Sequence, residues 1–134
     1  MIKEIGSDRV KMCLDIGLGC FDQFTQHSDD YIAKAVRECR SLVVYSHFNG
    51  EFRQAADGEF IQEPYDSPGL TPPGGSMINY EAFVRELKNA GYDGHLSYEV
   101  CGPVLVNHTL KGIEEVDRLV RAALGYMRKL IAKS

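Results

Sequence analysis

The chain has 134 residues, with 15 lysines and arginines against 19 aspartates and glutamates, for a net charge of −4. That length suits one domain, which buries about two-thirds of the surface its unfolded form exposes and needs no disulfide staples; 44% hydrophobic and 25% charged residues mark it as globular rather than disordered. The acidic balance gives no electrostatic footprint for nucleic acid, no apolar run approaches the roughly 20 residues of a membrane span, and Met1-Ile2-Lys3-Glu4-Ile5 carries no secretory apolar region.

In chain order, a short helix tail leads through the polar turn Gly6-Ser7-Asp8-Arg9 into an apolar run near 10–15 that ends on Asp15, read as a buried strand. Gly17 and Gly19 then break the chain. Ser28-Asp29-Asp30 opens a helix, because a Ser cap and early acids suit its orphan amides and positive end. Ile32, Ala35, Val36 and Cys39 follow at helical spacing, to an end near Arg40. Leu42 to His47 is β-branched and aromatic, and reads as the clearest strand. Residues 48–76 hold Asn49-Gly50, Asp57-Gly58, Ser67-Pro68-Gly69 and Pro72-Pro73-Gly74-Gly75 with no periodic segment, so a long loop is expected. Asn79 reads as the next N-cap, with a stripe of Phe83, Val84, Leu87 and Ala90 and Gly91 just past the end. Asp93-Gly94 turns the chain into a third strand over 95–100. Thr109 is read as the cap of a final amphipathic helix. Its stripe runs Ile113, Val116, Leu119, Val120, Ala123, Leu124, Met127, Leu130 and Ile131, with Arg118, Arg121, Arg128 and Lys129 opposite.

Strands alternating with helices imply an α/β fold with parallel strands and right-handed crossovers. Cys13, Cys20, Cys39 and Cys101 are widely spaced, with no C-x-x-C. We read them as buried or semi-buried thiols in a reducing cytosol, with a disulfide framework or a zinc site as the alternative. A cytoplasmic location is therefore expected.

In parallel α/β folds chemistry sits at the carboxyl ends of the strands. Here the three runs end in Asp15, His47 and Glu99. Two carboxylates and an imidazole at one rim suit a divalent cation of the Mn, Mg, Co or Zn kind. Singly each has a plainer reading: Asp15 as a turn cap, and His47 as a satisfied rim histidine. Glu99 is the least comfortable as a bland residue, since Glu is disfavoured in strands and rarely buried unpaired. His27 reads as a solvated loop residue and His95 as structural. Gly74-Gly75 lacks the Gly-x-x-x-x-Gly-Lys pattern of a phosphate cradle. Tyr31, Tyr45, Tyr80, Tyr92, Tyr98 and Tyr126 suit packing.

Four stretches carry a resemblance. They are Val10-Lys11-Met12-Cys13-Leu14-Asp15-Ile16-Gly17, Val43-Val44-Tyr45-Ser46-His47-Phe48-Asn49, Pro73-Gly74-Gly75-Ser76-Met77-Ile78-Asn79-Tyr80, and Gly91-Tyr92-Asp93-Gly94-His95-Leu96-Ser97-Tyr98-Glu99. The chain resembles the xylose isomerase-like TIM barrels: the sugar phosphate isomerases and epimerases and their AP-endonuclease relatives. The resemblance runs over most of its length, from about residue 2 to residue 131. It implies that 1–134 is the C-terminal portion of a (β/α)8 barrel, strands six to eight with their helices, with Asp15, His47 and Glu99 as ligands to one divalent metal. Glu99 would also move protons next to a carbonyl, with the metal stabilising an enediolate. Arg53 matches an arginine that contacts substrate oxygens. His108, in the loop after strand eight, is a further candidate for substrate phosphate or hydroxyls.

The implied function is a sugar or sugar-phosphate isomerase or epimerase acting on a small carbohydrate. An inosose-type dehydratase would use the same chemistry. Two departures bear on this. Leu18 stands three residues after Asp15, where relatives often carry His, and past His47 the chain offers Asp57 but no His before His95; both count against an abasic-site nuclease. Strands one to five, with a second proton-transferring Glu, have no counterpart, while a full barrel takes about 250 residues. A truncated or split-barrel fragment, inactive alone and needing a homo-oligomeric or complementary partner, is therefore the second expectation.

Overall fold

The three apolar runs that end in acid, imidazole and acid form one parallel sheet. A computed structural model of the protein describes residues 2–16, 29–64, 78–100, 104–106 and 109–134. Its elements are α1 (Ile2–Ile5), β1 (Met12–Asp15), α2 (Asp29–Cys39), β2 (Val43–Phe48), β3 (Glu51–Gln54), β4 (Phe60–Glu63), α3 (Tyr80–Asn89), β5 (His95–Tyr98), β6 (Leu105–Val106), β7 (Thr109–Leu110) and α4 (Ile113–Lys133). The sheet order is β1-β2-β5, and both pairings are parallel. α2 lies between β1 and β2 in the chain and α3 between β2 and β5, and the two helices pack on each other. The α/β class is as the sequence implied.

Alternation along the strands sorts the side chains into two faces. Leu14, Ser46 and Phe48 are buried and belong with the helices, while Cys13, Asp15, Tyr45 and His47 point the other way and keep solvent contact. Ser46 is a polar residue in the core, and it is satisfied because its hydroxyl donates to the Leu14 carbonyl at 2.6 Å. The helices add Ile32 and Val36 from α2, Phe83, Val84 and Leu87 from α3, and Ala123, Met127 and Leu130 from α4 to the core.

α3 shows how local sequence sets an element. The Asn79 side chain accepts from the Ala82 amide at 3.0 Å, satisfying one orphan donor of the first turn. At the other end the Gly91 amide donates to the Lys88 carbonyl and the Tyr92 amide to the Leu87 carbonyl. This double closure needs a left-handed residue, and Gly91 supplies it at φ +73°. Both ends are as the sequence predicts.

Three expectations are corrected. The stretch 48–76, read as one loop, contains an antiparallel hairpin in which Glu51 pairs with Glu63 and Gln54 with Phe60. Its strands are four residues each, too short for a period to show, and Phe52 pins them to the core, 2% exposed between Phe48, Tyr80, Tyr98 and Tyr126. Residues 65–77 of that stretch, with Gly74-Gly75, lie outside the described residues. Thr109 does not cap the last helix, because it pairs with Val106 in the β6–β7 hairpin, and α4 starts after Gly112 without a side-chain cap. Its first turn overhangs the core, which leaves Ile113 78% exposed. Cys13, expected to be at least half-buried, is exposed on the uncovered sheet face.

The β3–β4 hairpin packs along α4, with Tyr126 donating to Gln62 and Lys129 paired with Glu59. A Cβ on Gly125 would come within 2.6 Å of the Phe60 ring. In an open helix Gly→Ala stabilises by about 1 kcal/mol, whereas overpacking costs about 1–3 kcal/mol. Gly125→Ala is therefore expected to destabilise by up to about 2 kcal/mol, the overpacking cost less the helix gain, read as a lower urea midpoint at unchanged slope. A raised midpoint would show that the ring gives way and that the contact sets no limit.

Candidate metal centre

Strand register brings the three rim residues together. Asp15 is the Cα partner of His47 across β1 and β2, and His47 is the partner of Ser97 across β2 and β5. Side chains two residues apart share a face, so Glu99 lies on the side of Ser97. The Glu99 amide donates to the Phe48 carbonyl at 2.9 Å, which carries the ladder one residue past β5 and seats the glutamate beside His47. His47 Nδ1 is 3.4 Å from Glu99 Oε2 and 3.9 Å from Asp15 Oδ2. One ligand atom from each residue lies within 4.8 Å of the other two.

These separations suit a shared cation. Ligands about 2.0–2.2 Å from one ion stand roughly 3 Å apart in cis and 4.2 Å in trans. The two distances from His47 to the carboxylates fall in that window. All three side chains are partly buried, at 17% exposure for Asp15, 29% for His47 and 33% for Glu99. Glu99 is divided, because its Oε2 atom is buried and lacks a hydrogen-bond donor. A buried carboxylate oxygen without a donor is costly, and a positive charge is what it lacks. Two carboxylates this close repel each other, and a cation between them reverses the sign.

The turn that follows His47 and Phe48 is gripped from the core. The Tyr80 hydroxyl donates to the Asn49 carbonyl at 2.7 Å and accepts from the Asn49 amide, and the Tyr98 hydroxyl donates to the Gly50 carbonyl at 2.7 Å. Gly50, at φ +110°, can take the turn where a side chain would be strained. Burial raises the Tyr80 phenol well above its usual range, so it stays a donor at every ordinary pH.

Of the other candidates, Arg53 sits on β3, where its Nε pairs with Glu63 across the hairpin, and its side chain is 45% exposed. It is not part of the three-residue cluster. Asp57 caps the β3–β4 turn by accepting from the Glu59 amide. His95 opens β5, exposed and at the far end of the strand from Glu99. His108, His27, Leu18, Cys20 and Cys101 lie outside the described residues. Tyr45 and Ser97, read only as packing or passed over, are on the site's face and bonded to each other. The signal that finds them is period two, since each stands two residues before a rim ligand.

Cys13 shares this face, two residues before Asp15. Desolvation first, then the charges of Asp15 and Glu99, push its thiol above the ordinary range. A raised pKa means less thiolate near neutrality, so an exposed Cys13 should alkylate more slowly than a free thiol at pH 8. Asp15→Asn removes one raising charge and should speed modification of Cys13 by iodoacetamide, followed by peptide mass spectrometry. An unchanged rate would show that the carboxylate field does not reach the thiol.

No helix among the described residues is long and apolar enough to cross a membrane. No curated protein and no solved structure matches the chain. The sequence model of the xylose isomerase-like TIM barrels matches residues 1–130. With parallel βαβ units and polar residues gathered at the carboxyl ends of the strands, the chain belongs to the xylose isomerase-like TIM barrel family.

Proposed function

We propose that the chain serves metal-assisted isomerisation or epimerisation of a small carbohydrate, with Asp15, His47 and Glu99 holding a divalent cation. The observation that carries this is the cluster itself: three ligand atoms within 4.8 Å, one of them a buried Glu99 oxygen without a donor. Two hard carboxylate oxygens and one imidazole nitrogen are a donor set for Mn, Co, Zn or Mg. When bound, such an ion supplies the charge that polarises a carbonyl and its neighbouring hydroxyl. Glu99 presents one oxygen to the cluster, and its side chain is 33% exposed; in this role it takes and returns a proton at a substrate carbon. Arg53, whose Nε pairs with Glu63 and whose side chain is 45% exposed, and His108 are proposed as contacts to substrate oxygens. A dehydratase of the same enediol chemistry uses this arrangement equally well.

A second reading is favoured by the uncovered face of the sheet. Cys13 and His95 are exposed there. In a closed barrel that side is packed with side chains. On this reading the chain is catalytic only when further strands, from a complementary fragment or a second copy, cover the face and add a second acid–base group.

The two readings separate by experiment. Titration with Mn(II) or Zn(II) in a calorimeter should give saturable binding that Glu99→Ala weakens by tenfold or more; equal heats for wild type and variant sink the metal site. Turnover on a panel of ketoses and ketose phosphates then decides the rest. Epimerisation or isomerisation by the isolated chain, lost in Glu99→Gln, supports the first reading, and metal binding without turnover supports the second.

A further inference from the structure

We propose that Tyr45 is a positioning residue for His47: its ring walls the imidazole, and its hydroxyl ties that wall to the strand that leads to Glu99. The proposal rests on the metal reading above. Tyr45 lies two residues before His47 on β2, on the same face of the sheet. The two rings meet edge-on, with centroids 5.2 Å apart and planes at 87°. This is the preferred geometry for neighbouring aromatic rings, and it restricts rotation of the imidazole about its last torsion. That torsion decides whether Nδ1 faces the two carboxylates, as it does at 3.4 Å from Glu99 and 3.9 Å from Asp15.

The wall is itself anchored. The Tyr45 hydroxyl and Ser97 Oγ share a hydrogen bond. The Cα partner of Tyr45 across the sheet is His95, so this bond runs diagonally, two residues up β5 toward the site. Ser97 is in turn the Cα partner of His47 and stands two residues before Glu99. The bond therefore fastens β2 to β5 one side-chain layer beneath the ligands those strands carry. On its other side the Tyr45 ring meets His95, with centroids 6.4 Å apart and planes at 69°. An imidazole on a half-open face has no packed core around it, so a ring and a tether take that place. Groups that orient metal ligands typically change affinity by about 10–100-fold when removed.

The test is Co(II) affinity by calorimetry, with the visible spectrum of the bound ion as a second readout, on wild type and on Tyr45→Phe, Tyr45→Ala, Ser97→Ala and the Tyr45→Phe/Ser97→Ala double variant. Tyr45→Phe keeps the wall and loses the tether; it and Ser97→Ala should each weaken binding by about threefold, and the double variant no further, since both cut one bond. Tyr45→Ala should weaken binding about tenfold or more and alter the Co(II) spectrum. Wild-type affinity in Tyr45→Ala, or in Ser97→Ala, overturns the proposal while leaving the metal site standing. Absence of saturable Co(II) binding in wild type overturns the metal reading instead. Should Tyr45→Ala fail to fold by circular dichroism, Ser97→Ala and the double variant decide alone. Both at wild-type affinity, or losses that add in the double, overturn the proposal.

Discussion

The site depends on a register. Asp15 faces His47 across one parallel pairing, His47 faces Ser97 across the other, and the Glu99 amide reaches the Phe48 carbonyl just beyond. Because strand side chains alternate, a slip of one residue at either pairing would carry a ligand to the helix side of the sheet. On β2 that slip would also bring the wholly buried Phe48 into water. The register is therefore enforced from the opposite face, where Leu14, Ser46 and Phe48 meet the helices. The pairing shifts between Met12 and Cys13, so that Met12 faces Val43 but Cys13 faces Tyr45. Val44 is the extra residue, and the shift sets Cys13 and Asp15 opposite Tyr45 and His47.

A single aromatic cluster connects that enforcement to the rest of the chain. Phe48 at the end of β2, Phe52 on the hairpin, Tyr80 and Phe83 on α3, Tyr98 on β5 and Tyr126 on α4 meet at tilted or edge-on angles, with centroids 5.1–6.3 Å apart. Three of these rings have polar tips: those of Tyr80 and Tyr98 are spent on the Asn49–Gly50 turn, and that of Tyr126 on Gln62 of the hairpin. The residues that follow His47 are thus held by the core rather than left as a free loop. This places the candidate ligands on a stiff frame, which a site needs if several groups are to meet one ion.

The two faces of the sheet are built for different ends. The helix face of the sheet is mostly apolar, and the Ser46 hydroxyl on it is satisfied by a backbone carbonyl. The other face carries Cys13, Asp15, Tyr45, His47, Ser97 and Glu99, all exposed or half-exposed. Such a face gains little from hydrophobic burial, and its order comes from polar and ring contacts among its own members. Its polarity is what the proposed chemistry requires, and its exposure is what the proposed partner strands would remove.

The sequence by itself determined the alternation of strands and helices, both caps of α3, and the three rim residues, because these follow from local periodicity, capping chemistry and the strand-end rule. Other features were illegible there. The β3–β4 hairpin is held by Phe52 against residues distant in the chain, and four-residue strands show no period of their own. Thr109 has the chemistry of a cap, but pairing with Val106 takes it into a strand. Arg53 is bound across the hairpin to Glu63, a partner that no linear spacing identifies. Cys13 reads as a buried thiol until the sheet is seen to be covered on one side only. Most of all, the sequence could place Asp15, His47 and Glu99 at one rim but not set the distances between them. Their separations depend on two inter-strand registers and on one bond beyond the end of a strand, and only packing of the whole chain sets those.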